Sequence, residues 1–308
     1  MRILAIETSC DDTGIALVDV EKQKKSEFPR VKVVENLIAS QTALHAKWGG
    51  VVPNLAKQAH IDHLPILYKK LSTFNFSHSI DYVAVTVGPG LEPALWAGIE
   101  FAKKLSDELK IPVVGANHLE GHLYSFLLQQ KTVVESKKKK VERKKLQFPV
   151  VVLLVSGGNT MIVLMKDINY WQVLGKTKDD AVGEAFDKVA RMLGLPYPGG
   201  PAIEALAKKG NPKAIQFPRP LLREKNYNFS FSGLKTAVLY YLRDHKNSLF
   251  TDVAASFQAA AIDVLVKKTE RAVAEFGARS VVLCGGVAAN TALRAALQKS
   301  AENFNATF

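Results

Sequence analysis

The sequence predicts an α/β protein of two duplicated lobes with a nucleotide cleft between them, and three observations predict it. Phe148 to Lys166 reads FPVVVLLVSGGNTMIVLMK, β-branched and leucine residues interrupted by Ser156-Gly157-Gly158-Asn159-Thr160, the pattern of a β-hairpin with a glycine turn. Met1 to Asp19, MRILAIETSCDDTGIALVD, repeats it, with Asp12-Thr13 ahead of an apolar run where the later segment has Asn159-Thr160. Each hairpin is followed by helical and parallel-strand patterns, as expected of one unit used twice. A chain of 308 residues is also longer than one hydrophobic core usually supports. The expected division is a first lobe over 1–130, a basic insertion over 131–147 and a second lobe over 148–308.

Taken in order, Val31 to Ser40 completes an antiparallel start with the first hairpin. Gly49 to Leu71 has Pro53 in its first turn and Leu55, Ala59, Leu64, Leu67 and Leu71 at helical spacing. Asp81 to Val87 is a short buried strand. It runs into Gly88-Pro89-Gly90-Leu91 and a helix over 92–110, so the glycines stand where ligands often meet a helix N-terminus, although Gly-Pro-Gly is sound turn chemistry without one. The next strand, from Ile111, leads into Asn117-His118-Leu119-Glu120-Gly121-His122. Histidines four apart share a helix face, so His118 and His122 suit one metal ion; they equally suit two half-buried rings with local hydrogen bonds. His60 and His63 form a rival pair on a leucine-rich helix with no glycine loop beside it, where surface or packing roles are expected.

Residues 129–147 carry charge without apolar period, including the run Lys137 to Lys145. After the central hairpin and a strand over 170–175, Asp179, Asp180, Glu184 and Asp187 crowd the start of a helix. Macrodipole stabilisation explains some of them, and a ribose hydroxyl or cation could use the rest. Pro198-Gly199-Gly200-Pro201 turns into a short helix bearing Glu204. In Phe229-Ser230-Phe231-Ser232-Gly233-Leu234-Lys235, Ser232 suits an N-cap. A helix over 252–276 and a strand over 279–284 end in Gly285-Gly286-Val287-Ala288-Ala289-Asn290 before a last helix. That turn suits a flat slot for a purine, with Asn290 at its edge, or a plain glycine turn with a capping Asn.

Composition narrows the function classes. Lys and Arg outnumber Asp and Glu by 41 to 29, a formal net charge of +12 that favours a polyanionic partner such as nucleic acid. Two cysteines, Cys10 and Cys284, are too few for a disulfide framework and read as small buried thiols. No apolar run is long enough to span a bilayer and no leader-like stretch opens the chain, so a cytoplasmic protein with no membrane partner is expected.

Together, Ile6 to Thr13, Val87 to Leu91, His118 to His122, Val155 to Thr160, Asp179 to Lys188, Tyr197 to Pro201, Phe231 to Lys235 and Cys284 to Asn290 resemble, in order and over essentially the whole chain, the TsaD family. Its members are tRNA N6-adenosine threonylcarbamoyltransferases, formerly labelled O-sialoglycoprotein endopeptidases. The resemblance implies the actin/Hsp70/sugar-kinase (ASKHA) fold and the transfer of a threonylcarbamoyl group from threonylcarbamoyl-adenylate to the N6 amine of the adenosine next to the anticodon. It implies His118 and His122 as ligands of one divalent metal, iron ahead of zinc. It also implies Leu154, Val155, Ser156, Gly157, Gly158, Asp187, Gly200, Glu204 and Asn290 as substrate-binding residues. Because the attacking amine needs a proton acceptor, Asp11 or Asp12 is the candidate base, each with a turn-forming role as its alternative. Leu154 stands where the archaeal and eukaryotic branch usually has tyrosine, so the bacterial or organellar branch is closer. The family pattern continues past Phe308 to an aspartate that completes the metal site. Implied partners are tRNA, an inactive TsaB-like paralogue and a TsaE-like ATPase. The competing readings are a small-molecule kinase or ATPase on the same fold, with no use for the histidine pair, and a non-catalytic binding relative. The peptidase label finds no zincin motif to support it.

Overall fold

Both predicted hairpins form, and each grows into a sheet of the same connectivity. The computed structural model describes residues 1–22, 28–72, 80–128 and 146–308, and the chain divides into two compact units, Met1–Ser136 and Lys137–Phe308. The basic insertion expected at 131–147, with its run Lys137 to Lys145, lies outside the described residues except for Leu146 and Gln147.

The first unit contains β1 (Arg2–Glu7), β2 (Asp12–Glu21), β3 (Arg30–Ser40), α1 (Thr42–Ala46), α2 (Pro53–Ser72), β4 (Tyr82–Gly88), α3 (Glu92–Leu109), β5 (Val113–Asn117) and α4 (His118–Leu123). Its described strands form a sheet in the order β3-β2-β1-β4-β5, antiparallel through the first three and parallel from β1 to β4 and β5. The edge strand β3 alternates exposed and half-buried positions and carries Lys32 and Glu35, charges that discourage edge-to-edge pairing. Leu4, Ile6, Ile15 and Leu17 meet Leu64, Leu67 and Leu71 of α2 in the core. On α2, Ala56, Ala59 and His60 complete the buried stripe that sequence spacing assigned partly to Leu55, which is only half-buried. Lys110 closes α3 in the left-handed conformation, φ 56°.

The second unit contains β6 (Val150–Val155), β7 (Thr160–Met165), β8 (Trp171–Lys176), α5 (Val182–Met192), α6 (Gly199–Ala207), α7 (Ser232–Asp244), α8 (Phe250–Phe276), β9 (Ser280–Cys284) and α9 (Thr291–Asn303). Its described strands run β8-β7-β6-β9, with β6 antiparallel to β7 and parallel to β9. This repeats β3-β2-β1-β4, so the duplication read from the hairpins extends to the parallel strand. Every residue of β6 and β7 is buried, which is why both segments read as unbroken apolar runs. Phe186 meets Phe257 edge-to-face, centroids 4.9 Å apart, within a core that includes Phe229 and Phe231. The aromatics of the Phe229 segment are therefore packing residues.

Two expectations need correction. Ser232 is the first residue of α7 and not its N-cap. Asp179, 53 positions earlier in the chain, caps that helix instead, accepting from Phe231 N (2.8 Å) and Ser232 N (3.2 Å) and from the Ser230 and Ser232 hydroxyls (2.5 and 2.7 Å). An ionised carboxylate is the stronger acceptor, and its two oxygens serve four donors at once. Burial would raise the Asp179 pKa, but these bonds outweigh it and hold the carboxyl below its usual range. Cys10 is exposed at the turn after β1, whereas Cys284 is buried and its thiol is pushed up to about 12 by that burial.

Lys268, fully buried on α8, donates to Asn226 O at 2.8 Å. Burial, with repulsion from Arg271, lowers its pKa to about 8. A lysine with a depressed folded pKa binds its proton more tightly when unfolded, so its cost is complete below about pH 8 and disappears toward pH 10.5. Relative to Lys268→Met, the wild-type chain should gain up to about 3 kcal/mol of stability across that interval. Denaturant unfolding at several pH values measures the difference, and a flat profile would contradict the assignment.

Candidate functional site

In the first unit the chemistry gathers at the C-terminal ends of β1, β4 and β5. The parallel pairing of β1 with β4 and of β4 with β5 brings Glu7, Thr86 and the start of α4 to one edge. Asn117 caps α4, its side chain accepting from Leu119 N at 2.8 Å and Glu120 N at 3.3 Å. The His118 and His122 rings then lie on one face, centroids 4.5 Å apart and nearly perpendicular. Burial and the neighbouring His118 lower the His122 pKa, which favours a neutral ring with a free lone pair.

Glu7 organises this end. It accepts from Ser9 N (2.6 Å), from the Thr86 hydroxyl and from His118 Nδ1 (3.3 Å), while Ser9 Oγ lies 3.1 Å from the same nitrogen. Burial would raise Glu7, but the hydrogen bonds from His118, Ser9 and Thr86 overcome it and hold the carboxyl at about 2. An ionised carboxylate at Nδ1 assigns the ring proton there and leaves His118 Nε2 as the ligating atom, the arrangement common around metal-bound histidines. The pair therefore fits a divalent metal as two ligands, with the tautomer of His118 fixed by Glu7. Among the described residues no group of three or more His, Cys, Asp or Glu side chains could hold a metal ion. Glu7→Gln is expected to weaken metal binding about 10- to 100-fold with the fold retained, as read by metal titration beside circular dichroism; unchanged affinity would remove Glu7 from this role.

Asp11 and Asp12 occupy the turn after β1. Asp11 O accepts from Gln41 N at 2.9 Å, and Asp12 opens β2 opposite Ser40. Behind them lies a polar network that spacing alone did not reveal. His60, expected in a surface or packing role, is fully buried. Its Nε2 lies 3.1 Å from Cys10 O and its Nδ1 2.8 Å from Thr13 Oγ1. Because Nε2–H donates to the carbonyl, Nδ1 accepts from the Thr13 hydroxyl, and His63 Nδ1 adds a 3.4 Å contact to that hydroxyl.

In the second unit, the Ser156-to-Asn159 turn closes through Ser156 N to Asn159 O (2.8 Å) and Asn159 N to Ser156 Oγ (3.0 Å), leaving Gly157 and Gly158 exposed. Two other glycines let backbone pack against this turn. A Cβ on Gly183, in the first turn of α5, would lie 2.5 Å from Ser156 O, and one on Gly285 would lie 2.2 Å from Val155 O. Gly285 also has φ +89° with ψ 168°, a conformation other residues rarely adopt. The N-cap residues Ala181 of α5 and Pro198 of α6 offer no side-chain acceptor, and the first N–H of each helix is taken from elsewhere, Val182 N by Thr160 Oγ1 (2.8 Å) and Gly199 N by Asp187 Oδ1 (2.7 Å). The result is an open glycine turn packed against the start of α5, an anion-receptive surface.

The other expected substrate residues sit on β6, α5 and α6 and at the start of α9. Leu154 and Val155 have fully buried side chains, so only their backbone is available. Asp187 Oδ1 accepts from Gly199 N at 2.7 Å, joining α5 to α6, while Gly200 faces open space. Glu204 accepts from Thr291 N (3.1 Å) and the Thr291 hydroxyl, tying α6 to α9. Asn290 caps α9 through Leu293 N (2.9 Å) and donates to Gln258 Oε1 (2.9 Å). Asp180 binds Lys188 (2.8 Å) and Lys235 (2.9 Å), and Glu184 binds Lys188 (2.7 Å), so the dense acidic cluster is largely engaged in structural pairs. No described helix is long and apolar enough to cross a membrane.

The family model described as "TsaD: tRNA N6-adenosine threonylcarbamoyltransferase" matches residues 32–308. A protein of that name from Thermotoga neapolitana is 47% identical over 294 residues, covering 96% of this chain and 83% of its own. One from Thermosipho africanus is 46% identical over 99% of this chain and 87% of its own, and one from Moorella thermoacetica 47% over 98% and 83%. Among solved structures, HypF of T. kodakarensis matches 100% of this chain and 45% of its own at TM-score 0.60 and 12% identity. Component A of the Acidaminococcus fermentans (R)-2-hydroxyglutaryl-CoA dehydratase matches 98% and 89% at TM-score 0.51 and 14% identity. These structural likenesses show the fold, which is the ASKHA-like fold.

Proposed function

The chain belongs to the TsaD family of tRNA N6-adenosine threonylcarbamoyltransferases and modifies tRNA by that transfer; from this premise we propose how its own residues serve the reaction. The observation that carries the proposal is the exposed Gly157-Gly158 turn, held by backbone contacts to Gly183 and Gly285. Ser156, Gly157 and Gly158, with the backbone at Leu154 and Val155, receive the phosphate of threonylcarbamoyl-adenylate. Gly200 leaves room beside α6 for the nucleoside, and Asp187, Glu204 and Asn290 hold that room's walls in register. The N6 amine of the tRNA adenosine attacks the carbamoyl carbonyl carbon, the bond from that carbon to the phosphate oxygen breaks, and AMP leaves with both electrons of that bond. Donors that already grip the phosphate stabilise AMP as it departs. The proton lost from N6 passes to the carboxylate of Asp11 or Asp12.

His118 and His122 would hold a divalent metal, iron ahead of zinc. Such an ion would polarise or orient the threonylcarbamoyl group. The lobes proposed to divide these tasks are 1–130 and 148–308, and cytoplasmic work with TsaB-like and TsaE-like partners completes the reading. Nucleoside mass spectrometry of unmodified tRNA, incubated with threonylcarbamoyl-adenylate, those partners and this chain, tests it. Threonylcarbamoyladenosine is expected with the wild-type chain and at least tenfold less with the better-placed base, Asp11 or Asp12, replaced by asparagine. Full activity in both variants would remove the aspartates from the mechanism.

A further inference from the structure

We propose that a basic cavity on the outer side of α8 is a docking site for a backbone phosphate of the tRNA, away from the anion-receptive glycine turn. It has a volume of about 620 Å³ and is lined by Arg219, Leu221, Leu222, Arg223, Glu224, Asp263 and Lys267, three cationic side chains against two acidic ones. Asp263 and Lys267 are five and nine residues beyond Gln258, spacings that turn them away from the side of α8 that meets Asn290.

The charges in the cavity are unevenly committed. Asp263 accepts both Arg219 Nε (3.1 Å) and Nη2 (2.8 Å), while Arg219 Nη1 also donates to Phe217 O at 2.6 Å. Glu224 accepts from Asn226 Nδ2 at 2.7 Å. Among the described residues, Arg223 and Lys267 have neither a salt bridge nor a side-chain hydrogen bond, and both are exposed. With Asp263 neutralised by Arg219, the cavity keeps two cationic side chains, Arg223 and Lys267, against the single charge of Glu224, an excess of one positive charge. A phosphate is the ligand that such a pair recognises.

The loop forming one wall is held in place from beneath. Arg271 donates to Leu222 O (3.0 Å) and to Glu224 O, and Lys268 donates to Asn226 O (2.8 Å). Leu221 is kept at φ 55°, a conformation that non-glycine residues adopt only when their surroundings impose it. With its carbonyls pinned inward, the loop presents Arg223 at little further entropic cost, and the inward cations add positive potential. A rigid cationic surface of this kind suits a duplex or stem backbone, which carries evenly spaced phosphates and needs no base reading. The identity of the polyanion rests on the transferase reading above; the anion site itself rests on the cavity.

The test compares wild type with the double variant Arg223→Glu/Lys267→Glu. Equilibrium tRNA binding is measured across a salt series, beside transfer kinetics with the partner proteins. Affinity is expected to fall roughly tenfold or more near 150 mM salt, and the slope of log affinity against log salt to flatten by about 0.7 to 0.9, the value for one lost phosphate contact. In transfer, the KM for tRNA should rise while kcat and the KM for threonylcarbamoyl-adenylate stay put. Identical tRNA affinity and salt slope in the two proteins would overturn the proposal. So would a cavity that takes only small anions: inorganic phosphate protecting the wild type but not the variant from heat, with tRNA affinity unchanged. A wild-type chain that binds tRNA in the expected way yet makes no product would instead count against the transferase reading and leave the docking site standing.

Discussion

His118→Ala is expected to slow threonylcarbamoyladenosine formation by at least about a hundredfold and to bring bound metal from one ion per chain to near zero. Two ligands cannot become one without losing most of the affinity, because the second histidine closes the chelate at no further translational cost. The fold should survive. Glu7 loses one donor but keeps Ser9 N and the Thr86 hydroxyl, so the stability cost is about 1–2 kcal/mol. Metal analysis, nucleoside mass spectrometry and a melting curve on the same preparation check all three statements. Metal lost with the transfer rate intact would sink the proposed role of the pair.

Gly285→Ala is expected to be among the most damaging single-methyl changes in the second unit. The new Cβ would lie 2.2 Å from Val155 O, on a strand paired on both sides, so the neighbour cannot yield. Adding the penalty for φ +89°, the loss should reach about 3 kcal/mol or more. Because the same contact positions the glycine turn, adenylate affinity should fall with it. Gly157→Ala is the informative companion. A Cβ there meets nothing within 4 Å, so stability should change by less than about 1 kcal/mol while adenylate binding weakens at least tenfold. Chemical unfolding and AMP titration separate the two effects. Wild-type binding in Gly157→Ala would place the phosphate elsewhere.

How far these sites were legible in the sequence depended on the distance between partners. The hairpins, the Asn117 and His118 helix start and the glycine turns are local patterns, each readable within a window of ten residues or so. Glu7 was not legible as the partner of His118, since only the β1-β4-β5 order brings positions 111 residues apart to 3.3 Å. The signal was faint but present, a single carboxylate closing the apolar run Ile3 to Ile6. Asp179 misled for the same reason. Its place near a helix start pointed to α5, yet it caps α7. His60 read, with His63, as a pair in surface or packing roles because its acceptor, Cys10 O, belongs to a backbone that no side-chain pattern announces.

The buried thiol of Cys284 adjoins Gly285 and has a use of its own. With its pKa pushed up to about 12, roughly one molecule in ten thousand carries the reactive thiolate near pH 8. Alkylation must therefore wait for β9 to open. Once the exposed Cys10 is replaced by serine, one thiol is left in a chain with two cysteines, and its rate of labelling becomes a built-in clock for breathing of the second unit. Bound adenylate should slow that clock by the ratio of its concentration to its dissociation constant, so affinity can be timed without any attached dye.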